Sequence, residues 1–469
     1  MTRLLIALIM LPCIAAAQPK APVLELETST VLSNGRLTPF WLMSNQQGKI
    51  STEQNMASIT LSAFAQPDTG KVFDLHYGAE VYGRQGRTGD LWLHQLYAAI
   101  TYKDVVELRA GLWEEVIGSK EPLLSTGSTV WSGNARPMPK IQIGTPGYID
   151  LPFTRGYAEG SLLVSHGWFT DDRFASNVWL HHKNTYLRLG GDLPVNVYHG
   201  MNHYVQWGGS SPLQELPYPS DFYTFLLVFF SRSGDPEVEG TPTGWAQNKY
   251  GNSIGSRSYG IDINLNRFEA GAYHQDIFED GSGKRRRNFP DGLWGVSFRF
   301  IDKKRLLQAF VYEWLHTKDQ SGSVYRNEDD YVVGGMDNYF NHGHYQSGWS
   351  FHGFTIGTPF ITSPILNDPP FHRFLNTRVL AHHIGFTGFL SEKLEYRSLI
   401  SYSRNYGMHH LPFEPPRDQY SVLLELNYPL PWYDINANIT IAADIGDMYG
   451  DNYGVMLSLR RQFFLNRSH

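Results

Sequence analysis

Apolar and polar residues alternate with a period of two along much of this chain, and that pattern limits its possible folds. Residues Phe268 to Phe300 show it most clearly, since two alternating stretches flank a polar loop, Glu279 to Asp291, with the basic run Lys284 to Arg287. Successive side chains of a β-strand point to opposite faces, so each stretch predicts a strand with one apolar face. We therefore predict a hairpin here, and the same unit along the rest of the chain.

The alternation recurs from residue 72 to the C-terminal region. It predicts strands in 72–84, 91–102, 105–113, 435–445 and 453–460. In 72–84 the polar face carries charged residues and a histidine, which suits a water-filled lumen, whereas the apolar face suits lipid. A soluble β-sandwich would show the same pattern, so the alternation alone leaves that alternative open.

Composition favours a membrane barrel over a helical membrane protein. Aromatic residues make up 14% of the chain and charged residues 18%, with 45 glycines. Outside the N-terminal region, the longest apolar run, Phe222 to Phe230, falls short of the roughly 20 residues that a spanning helix needs. Half of each barrel strand is polar, which keeps mean hydropathy low; the value here is −0.32. We predict an all-β fold, an antiparallel transmembrane β-barrel, with a secreted all-β protein as the alternative.

The N-terminus predicts export. Arg3 is followed by an apolar run, Leu4 to Ile14, and by a small-residue cleavage site, Ala15 to Ala17; these are the parts of a signal peptide. Pro12 precedes Cys13 where a lipoprotein signal has a small residue, so the lipoprotein alternative is set aside. Residues 1–17 are therefore predicted to be a signal peptide, and the protein is predicted to reside in the outer membrane of a Gram-negative bacterium.

The chain after the signal peptide has two predicted parts. Prolines interrupt residues 18–65, which we predict to be a short periplasmic lead-in or a plug of the lumen. Residues 66–464 show no composition break and are predicted to form one outer-membrane β-barrel. Eighteen strands of about 10–11 residues use roughly 200 residues. Long connections are predicted at 114–150, 199–220, 231–257, 319–350 and 361–376.

Catalytic and metal-binding patterns are weak in this sequence. The acid pairs at 114–115 and 279–280 point apart in an extended chain, whereas glycoside hydrolysis needs two carboxyls about 5–10 Å apart across a substrate. His342 and His344 would share one face of a strand, but no third ligand has a recognisable spacing. We predict no enzymatic activity, no cofactor and no metal site. The net charge of −6 argues against nucleic acid as a partner.

Aromatic residues beside amides and arginines indicate a different kind of site. Sugars offer C–H faces that stack on aromatic rings and hydroxyls that pair with amides and charged groups. The basic run 284–287 is either a solvated loop beside acidic residues or a contact for lipopolysaccharide phosphates or an acidic glycan. Packed loop cores and interfacial aromatics explain the aromatic residues equally well. The candidate glycan-binding residues are Trp131, Asn134, Arg136, Trp207, Arg285, Arg286, Asp337, Asn338, Tyr339 and Trp349.

A series of motifs resembles one known family. The motifs are STGSTVWSGNARPMPKI at 125–141, QWGG at 206–209, FEDGS at 278–282 with DGLWG at 291–295, GMDNYFN at 335–341 with GW at 348–349, NTR at 376–378, and PFW at 39–41 with Asn45 and Gly48. In this order, from about residue 38 to 407, they resemble the capsule assembly Wzi family. The resemblance implies an eighteen-stranded outer-membrane barrel, a periplasmic lead-in or helical plug, no catalysis and a lectin-like role. The short N-terminal region departs from the best-described members.

These observations predict a function at the cell surface. The predicted role is to bind and retain or organise capsular or extracellular polysaccharide without catalysis. A porin-like channel for sugars or small solutes is the alternative, and a hydrolase is disfavoured because no catalytic constellation stands out. The expected partners are capsular or extracellular polysaccharide, outer-membrane lipid and lipopolysaccharide, and the outer-membrane barrel assembly machinery.

Overall fold

The computed structural model describes residues 20–464 except 69, 119–120, 243, 246–248, 280, 302–303, 321, 323–324, 327–331, 334–336, 370 and 432. The predicted signal peptide lies outside the described residues. The strands are β1 Val23–Asn34, β2 Met56–Ala65, β3 Phe73–Gln85, β4 Gly89–Tyr102, β5 Val106–Leu112, β6 Lys140–Gly144, β7 Ile149–Asp150, β8 Ala158–Trp168, β9 Trp179–Leu189, β10 Val195–Trp207, β11 Asn252–Asn264, β12 Phe268–Gln275, β13 Gly292–Phe300, β14 Ala309–His316, β15 Tyr325–Arg326, β16 Val332–Val333, β17 Ser350–Phe351, β18 Phe354–Thr355, β19 Val379–Phe389, β20 Glu395–Gly407, β21 Pro412–Leu430, β22 Ile435–Gly446 and β23 Asn452–Phe464. The helices are α1 Phe40–Met43, α2 Phe222–Phe229, α3 Gly281–Lys284 and the 3₁₀ turn Pro364–Leu366.

One antiparallel sheet forms the body of the molecule. It has 19 strands, of which β7 pairs only with one end of β8. The other eighteen close into a barrel, because β1 pairs with β2 along one edge and with β23 along the other. This closing seam runs in register from Val23 opposite Phe464 to Asn34 opposite Tyr453. The predicted all-β barrel of about eighteen strands is confirmed.

Each strand presents apolar residues to the outside and polar residues to the lumen. On β22, Ile439 and Ile441 are exposed on the outer surface, while Thr440 between them is buried inside. The predicted hairpin is confirmed, since β12 pairs with β13 and Phe268 lies opposite Phe300. An exposed apolar band around a polar interior is the pattern of a barrel in lipid. Among the described residues, no helix is long and apolar enough to cross a membrane.

The two ends of the barrel differ in the length of their connections. Short turns such as 103–105, 265–267 and 390–394 lie at the end where β1 begins and β23 stops. The connections 113–139, 208–251 and 317–378 lie at the opposite end. Outer-membrane barrels have short periplasmic turns and longer extracellular loops. The long connections are therefore on the extracellular side, and both described chain ends are on the periplasmic side.

The prediction that residues 18–65 form a lead-in or plug is corrected by the pairing of this region. Val23–Asn34 and Met56–Ala65 are full strands of the barrel wall, and only 35–55 enters the lumen. In β2 the outward residues Ile59 and Leu61 alternate with serine and threonine rather than with charged residues. The polar face therefore carries a weaker sequence signal than that of 72–84, although the periodicity is the same.

Three glycines, on β10, β11 and β13, lie beneath tyrosine rings inside the lumen. A Cβ atom added at Gly200, Gly260 or Gly295 would lie 2.1, 2.4 or 2.2 Å from the rings of Tyr186, Tyr198 and Tyr273 respectively. Each tyrosine therefore fills the space that the missing side chain leaves on the next strand, a cross-strand device that also fixes register.

We expect Gly295→Ala to destabilise the folded barrel, because the added methyl group displaces the Tyr273 ring from its place on the wall. Overpacking of this kind costs about 1–3 kcal/mol. The measurement is the temperature at which the heat-modifiable folded band is lost in detergent gels. Gly147→Ala is the matched control, because a Cβ there meets nothing within 4 Å. Equal transition temperatures for the two variants would contradict this reasoning.

Candidate functional site

The first inserted segment, 35–55, carries α1 into the lumen from the extracellular end. All four residues of α1 are buried. The Phe40 amide donates to Asp444 Oδ2 at 2.8 Å, and Trp41 Nε1 donates to Ser401 Oγ at 3.1 Å. The Phe40 ring lies 5.1 Å from that of Phe360. Polar groups of two wall strands thus hold an apolar turn inside the barrel.

The second inserted segment, 113–139, reaches deeper and is held by side chains from the lumen face of three strands. Glu313 accepts the Ser125 hydroxyl and the Thr126 amide, each at 2.6 Å. Gln275 Oε1 accepts the Thr129 amide at 2.6 Å. His383 Nε2 lies 2.7 Å from the Leu124 carbonyl oxygen. These contacts draw the segment across the lumen, far from the rim where it enters.

A chain of hydrogen bonds joins these two segments by way of two residues on the barrel wall, His383 and Ser401. A carbonyl oxygen can only accept, so His383 carries its proton on Nε2 and donates to Leu124. His383 Nδ1 then accepts the Ser401 hydroxyl at 2.7 Å, and Ser401 in turn accepts from Trp41. The neutral imidazole therefore connects α1 to segment 113–139.

The third inserted segment, 337–378, covers the other two from the extracellular side. Trp349 Nε1 donates to the Val130 carbonyl at 2.7 Å, and the Ser132 hydroxyl donates to the Gly357 carbonyl at 2.8 Å. Gln206, at the end of β10, donates from Nε2 to the Gly348 carbonyl at 3.0 Å. We call 35–55, 113–139 and 337–378 together the plug. Its residues supply much of the buried apolar core.

Below the plug, the lumen is a polar vestibule of about 680 Å³ at the periplasmic end. Trp41, Asn45 and Leu123 form its inner end. Ion pairs link neighbouring strands along its wall: Arg460 contacts Glu27 at 2.9 Å, and Arg397 contacts Glu425. Paired charges beside water suit a hydrated cavity. The vestibule therefore opens toward the periplasm and ends against the plug.

One ammonium group neutralises a cluster of acids where the plug meets the wall. Lys49 Nζ lies 2.6 Å from Glu80 and 2.7 Å from Glu114, and His94 Nε2 lies 2.9 Å from Glu114. Burial favours the neutral acid, but the His94 hydrogen bond and the Lys49 ammonium lower the pKa of Glu114 to about 2. Glu80, His94 and Glu114 are close enough to hold a metal ion. The lysine already supplies the compensating positive charge.

A second group with metal-ligand chemistry lies beside β13 and β14. It consists of Asp291, His316 and Asp319. Asp291 accepts from His316 Nδ1 at 2.7 Å, from the Asp319 amide at 2.9 Å and from the Tyr339 hydroxyl at 2.9 Å. Burial raises the pKa of the Asp291 carboxyl despite these bonds. Its geometry thus serves to join β13 to the plug residue Tyr339.

Half of the predicted glycan-binding residues are buried. Trp349 has 0% of its surface exposed, and its ring packs 6.4 Å from that of Trp131. Neither tryptophan can therefore offer a ring face to a sugar in this structure, which corrects the choice of these rings as a binding platform. The other buried residues of the predicted set are Asn134, Trp207 and Tyr339.

The remaining predicted residues lie in three places. Arg136 is half-buried, with its guanidinium 3.8 Å from the centre of the Trp92 ring. Asp337 and Asn338 are half-buried in the third inserted segment, and Asn338 accepts the Thr377 hydroxyl at 2.8 Å. Arg285 and Arg286 are exposed in the β12–β13 connection. The structure does not bring the ten residues into one site, and sugar contact by these five stays a prediction.

An exposed aromatic group that the sequence did not single out lies at the extracellular rim. Phe371 is 43% exposed. Its ring centre lies 4.9 Å from that of His372, which stacks on Phe174 at 5.4 Å. Gln346 Oε1 lies 3.4 Å from His372 Nε2. We call these four residues the rim platform. The only sequence signal was that Phe371, His372 and Gln346 lie in predicted long connections, and Phe174 had none.

We expect Glu313→Ala to loosen the plug, because it leaves the buried Ser125, Thr126 and Tyr273 donors without their acceptor. Each unsatisfied donor costs about 1–3 kcal/mol. In planar bilayers the wild-type barrel should stay closed, and the variant should show open events. Glu392→Ala, an exposed glutamate in a periplasmic turn, is the matched control. Steady conductance of the wild type, unchanged in the variant, would refute a closing role for the plug.

Several solved structures are similar to this chain. The structure of Wzi from Escherichia coli, described as a carbohydrate-binding β-barrel of the outer membrane involved in group 1 capsule assembly, is 13% identical and has a TM-score of 0.58, covering 94% of this chain and 85% of that chain. OccK5 (OpdH) of Pseudomonas aeruginosa is 10% identical with a TM-score of 0.48, covering 96% of this chain and 99% of that chain. A BenF-like porin from Pseudomonas fluorescens Pf-5 is 11% identical with a TM-score of 0.46, covering 95% and 98%.

Sequence comparison identifies the family directly. No curated protein sequence matches the chain. The family model described as capsule assembly protein Wzi matches residues 37–361, a range that includes nearly all of the first inserted segment, the whole of the second and the first part of the third. The chain therefore belongs to the Wzi capsule assembly family of outer-membrane barrels.

Proposed function

We propose that this protein is a non-enzymatic outer-membrane lectin that binds capsular or extracellular polysaccharide and retains or organises it at the cell surface. The observation that carries the proposal is the plug, which fills the extracellular half of the lumen. The long loops that form it are packed inside the barrel. Family membership and the description of Escherichia coli Wzi as carbohydrate-binding support it.

The rim platform is the part of the extracellular surface best suited to a sugar chain. The Phe371 ring is open to solvent, and Gln346 provides an amide beside it. Burial and the neighbouring Arg373 lower the pKa of His372, which favours the neutral form of its ring. A neutral aromatic stack with an amide suits C–H faces and hydroxyl groups together. We propose it as the first contact for the polysaccharide.

A channel function is the second candidate, and the vestibule is the observation that favours it. Its volume of about 680 Å³ would admit a small solute from the periplasm. The passage then meets buried Trp41 and Leu124, so transport would require the plug to move. We propose retention rather than transport as the resting function, and we assign no catalytic step to any residue.

The same proposal includes the export of the protein and its partners in the membrane. We propose that residues 1–17 are removed as a signal peptide and that the outer-membrane assembly machinery inserts the barrel. Outer-membrane lipid and lipopolysaccharide would then surround the exposed apolar band, of which Leu457 and Leu459 are examples. None of the proposed partners is a nucleic acid.

Deletion of the gene should release polysaccharide into the medium while total synthesis persists, because the proposed role is retention and not production. The measurement is the ratio of cell-bound to soluble polysaccharide in deletion, complemented and parent strains. Complementation with the Glu392→Ala variant serves as a neutral control. An unchanged ratio in the deletion strain would reject the lectin role.

Phe371→Ala should weaken glycan pull-down by the purified barrel by about tenfold, the cost of one lost aromatic contact. Leu411→Ala is the matched control, because this exposed apolar residue lies in another extracellular connection and outside the rim platform. Trp131→Ala should alter the melting temperature more than glycan affinity, since its ring is buried. Undiminished binding by Phe371→Ala would show that the polysaccharide contacts another surface.

A further inference from the structure

Helix α2 lies on the outside of the barrel rather than in the lumen. His181 shares the outward face of β9 with the exposed Leu187 and Leu189, since these residues are separated by even numbers of positions. The ring of Phe225 in α2 lies 5.5 Å from that of His181 and 5.9 Å from that of Trp207. The connection 208–251 therefore folds back over the outer wall at the extracellular rim.

The far side of α2 is apolar and open. Phe222 is 74% exposed, and Tyr223 and Phe230 are also exposed. Asp221 caps the helix by accepting the Thr224 amide at 2.9 Å, so the helix has a fixed start. Exposed aromatic side chains on the outer wall of a membrane barrel mark the interface between lipid tails and headgroups.

An aromatic belt lies on the outward face of the neighbouring strands β10 to β14 and β19. Its outward rings form pairs: His199 with Tyr259 at 4.5 Å, His274 with Trp294 at 3.8 Å, and Tyr312 with His382, whose Oη and Nδ1 atoms lie 2.9 Å apart. Several of these rings line an open groove of about 810 Å³ on the lipid-facing wall. The groove is wide and apolar enough to accommodate hydrocarbon chains.

Three lysines converge above this belt, and we call them the lysine cluster. Lys183 points outward from β9 and donates to the Phe229 carbonyl, and Lys249 donates to the Ser231 carbonyl at 2.9 Å. Lys284, in α3, lies 5.3 Å from the centre of the Phe278 ring. Burial and then the ammonium groups of Lys249 and Lys183 lower the pKa of Lys284 to about 8. The cluster thus concentrates positive charge at the edge of the membrane.

Nearby acids are already engaged by other groups. Asp276 pairs with Arg257 at 2.7 Å, and Glu279 accepts the Phe340 amide at 2.8 Å. Lys183 and Lys249 each donate to a main-chain carbonyl rather than to a carboxylate. Both ring nitrogens of the buried His181, next to this cluster, lack a hydrogen-bond partner among the described residues. The site therefore offers positive charge to an anion.

We propose that the lysine cluster binds a phosphate group of a phosphorylated glycolipid of the outer leaflet, with its acyl chains against α2 and the aromatic groove. A phosphate offers several charged acceptor oxygens and suits converging ammonium groups. The exposed Arg286, whose guanidinium lies 4.5 Å from the centre of the Tyr259 ring, joins the cluster to the groove. The site faces lipid, whereas the rim platform faces the extracellular medium. The inference rests on outer-membrane insertion and is independent of polysaccharide retention.

The test is titration of the purified, detergent-solubilised full barrel with bisphosphorylated hexa-acyl lipid A. Replacing all three lysines of the cluster by methionine should weaken binding by about tenfold or more. The control replaces three lysines at the periplasmic end, Lys103, Lys304 and Lys393, by methionine and should bind like the wild type. Monophosphoryl lipid A should bind the wild type more weakly than the bisphosphorylated form.

Further arms separate the alternatives. Heat-modifiable migration confirms that each variant is folded, and if the triple variant does not fold, Lys249→Glu alone should weaken lipid A binding by charge repulsion. Equal lipid A binding by wild type and variant would overturn the proposal. Inorganic phosphate that competes for the site as effectively as lipid A would also overturn it. So would a triple variant that loses binding only to an acidic polysaccharide such as polygalacturonate. Failure of these lipid measurements leaves the polysaccharide retention ratio unaffected, so the two proposals fail separately.

Discussion

The pairing of the first strand with the last is the constraint on which the rest of this structure depends. Within the hydrocarbon layer, main-chain amide and carbonyl groups have no water to bind, so every strand edge must be paired. Twelve residues of β1 meet β23 in unbroken register, from Val23 to Asn34. With the seam closed, the outer surface can be apolar and the inner surface can hold ion pairs and the plug. An open edge would leave neither surface in a suitable solvent.

In the lumen, polar anchors and apolar packing have different roles. Single wall side chains such as Glu313 and Gln275 accept several donors each, which fixes the path of the inserted chain. The space between these anchors is filled by aromatic and aliphatic residues. Without the apolar packing, the polar wall would favour a water-filled lumen. Without the polar anchors, the apolar segments would have no fixed position along the wall. Together they make a filled extracellular half above a hydrated periplasmic half, the arrangement suited to holding a ligand outside.

Much of this fold could be predicted from the sequence, and the difference lies in particular residues. Charged residues alternating with apolar ones identified β3, and alternation on both sides of a polar loop predicted the hairpin of β12 and β13. Strand β2 was missed because its polar face is serine and threonine. The candidate site was harder, because Trp131 and Phe371 are both loop aromatics in sequence. Their burial depends on which connection enters the lumen, and that is decided by contacts between residues far apart, such as Trp349 with Val130.

The hydrogen-bonded sequence from Trp41 through Ser401 and His383 to Leu124 has a consequence for how the plug can move. The Ser401 hydroxyl can donate only one hydrogen bond, which it gives to His383. That bond polarises the imidazole and so strengthens the hydrogen bond from His383 to Leu124. Withdrawing α1 therefore weakens the bond that holds segment 113–139, and withdrawal of that segment frees the imidazole to turn away from Ser401. The two segments are thermodynamically coupled. Displacement of the plug should accordingly be all-or-none, with a single large step in pore size and without stable intermediate levels.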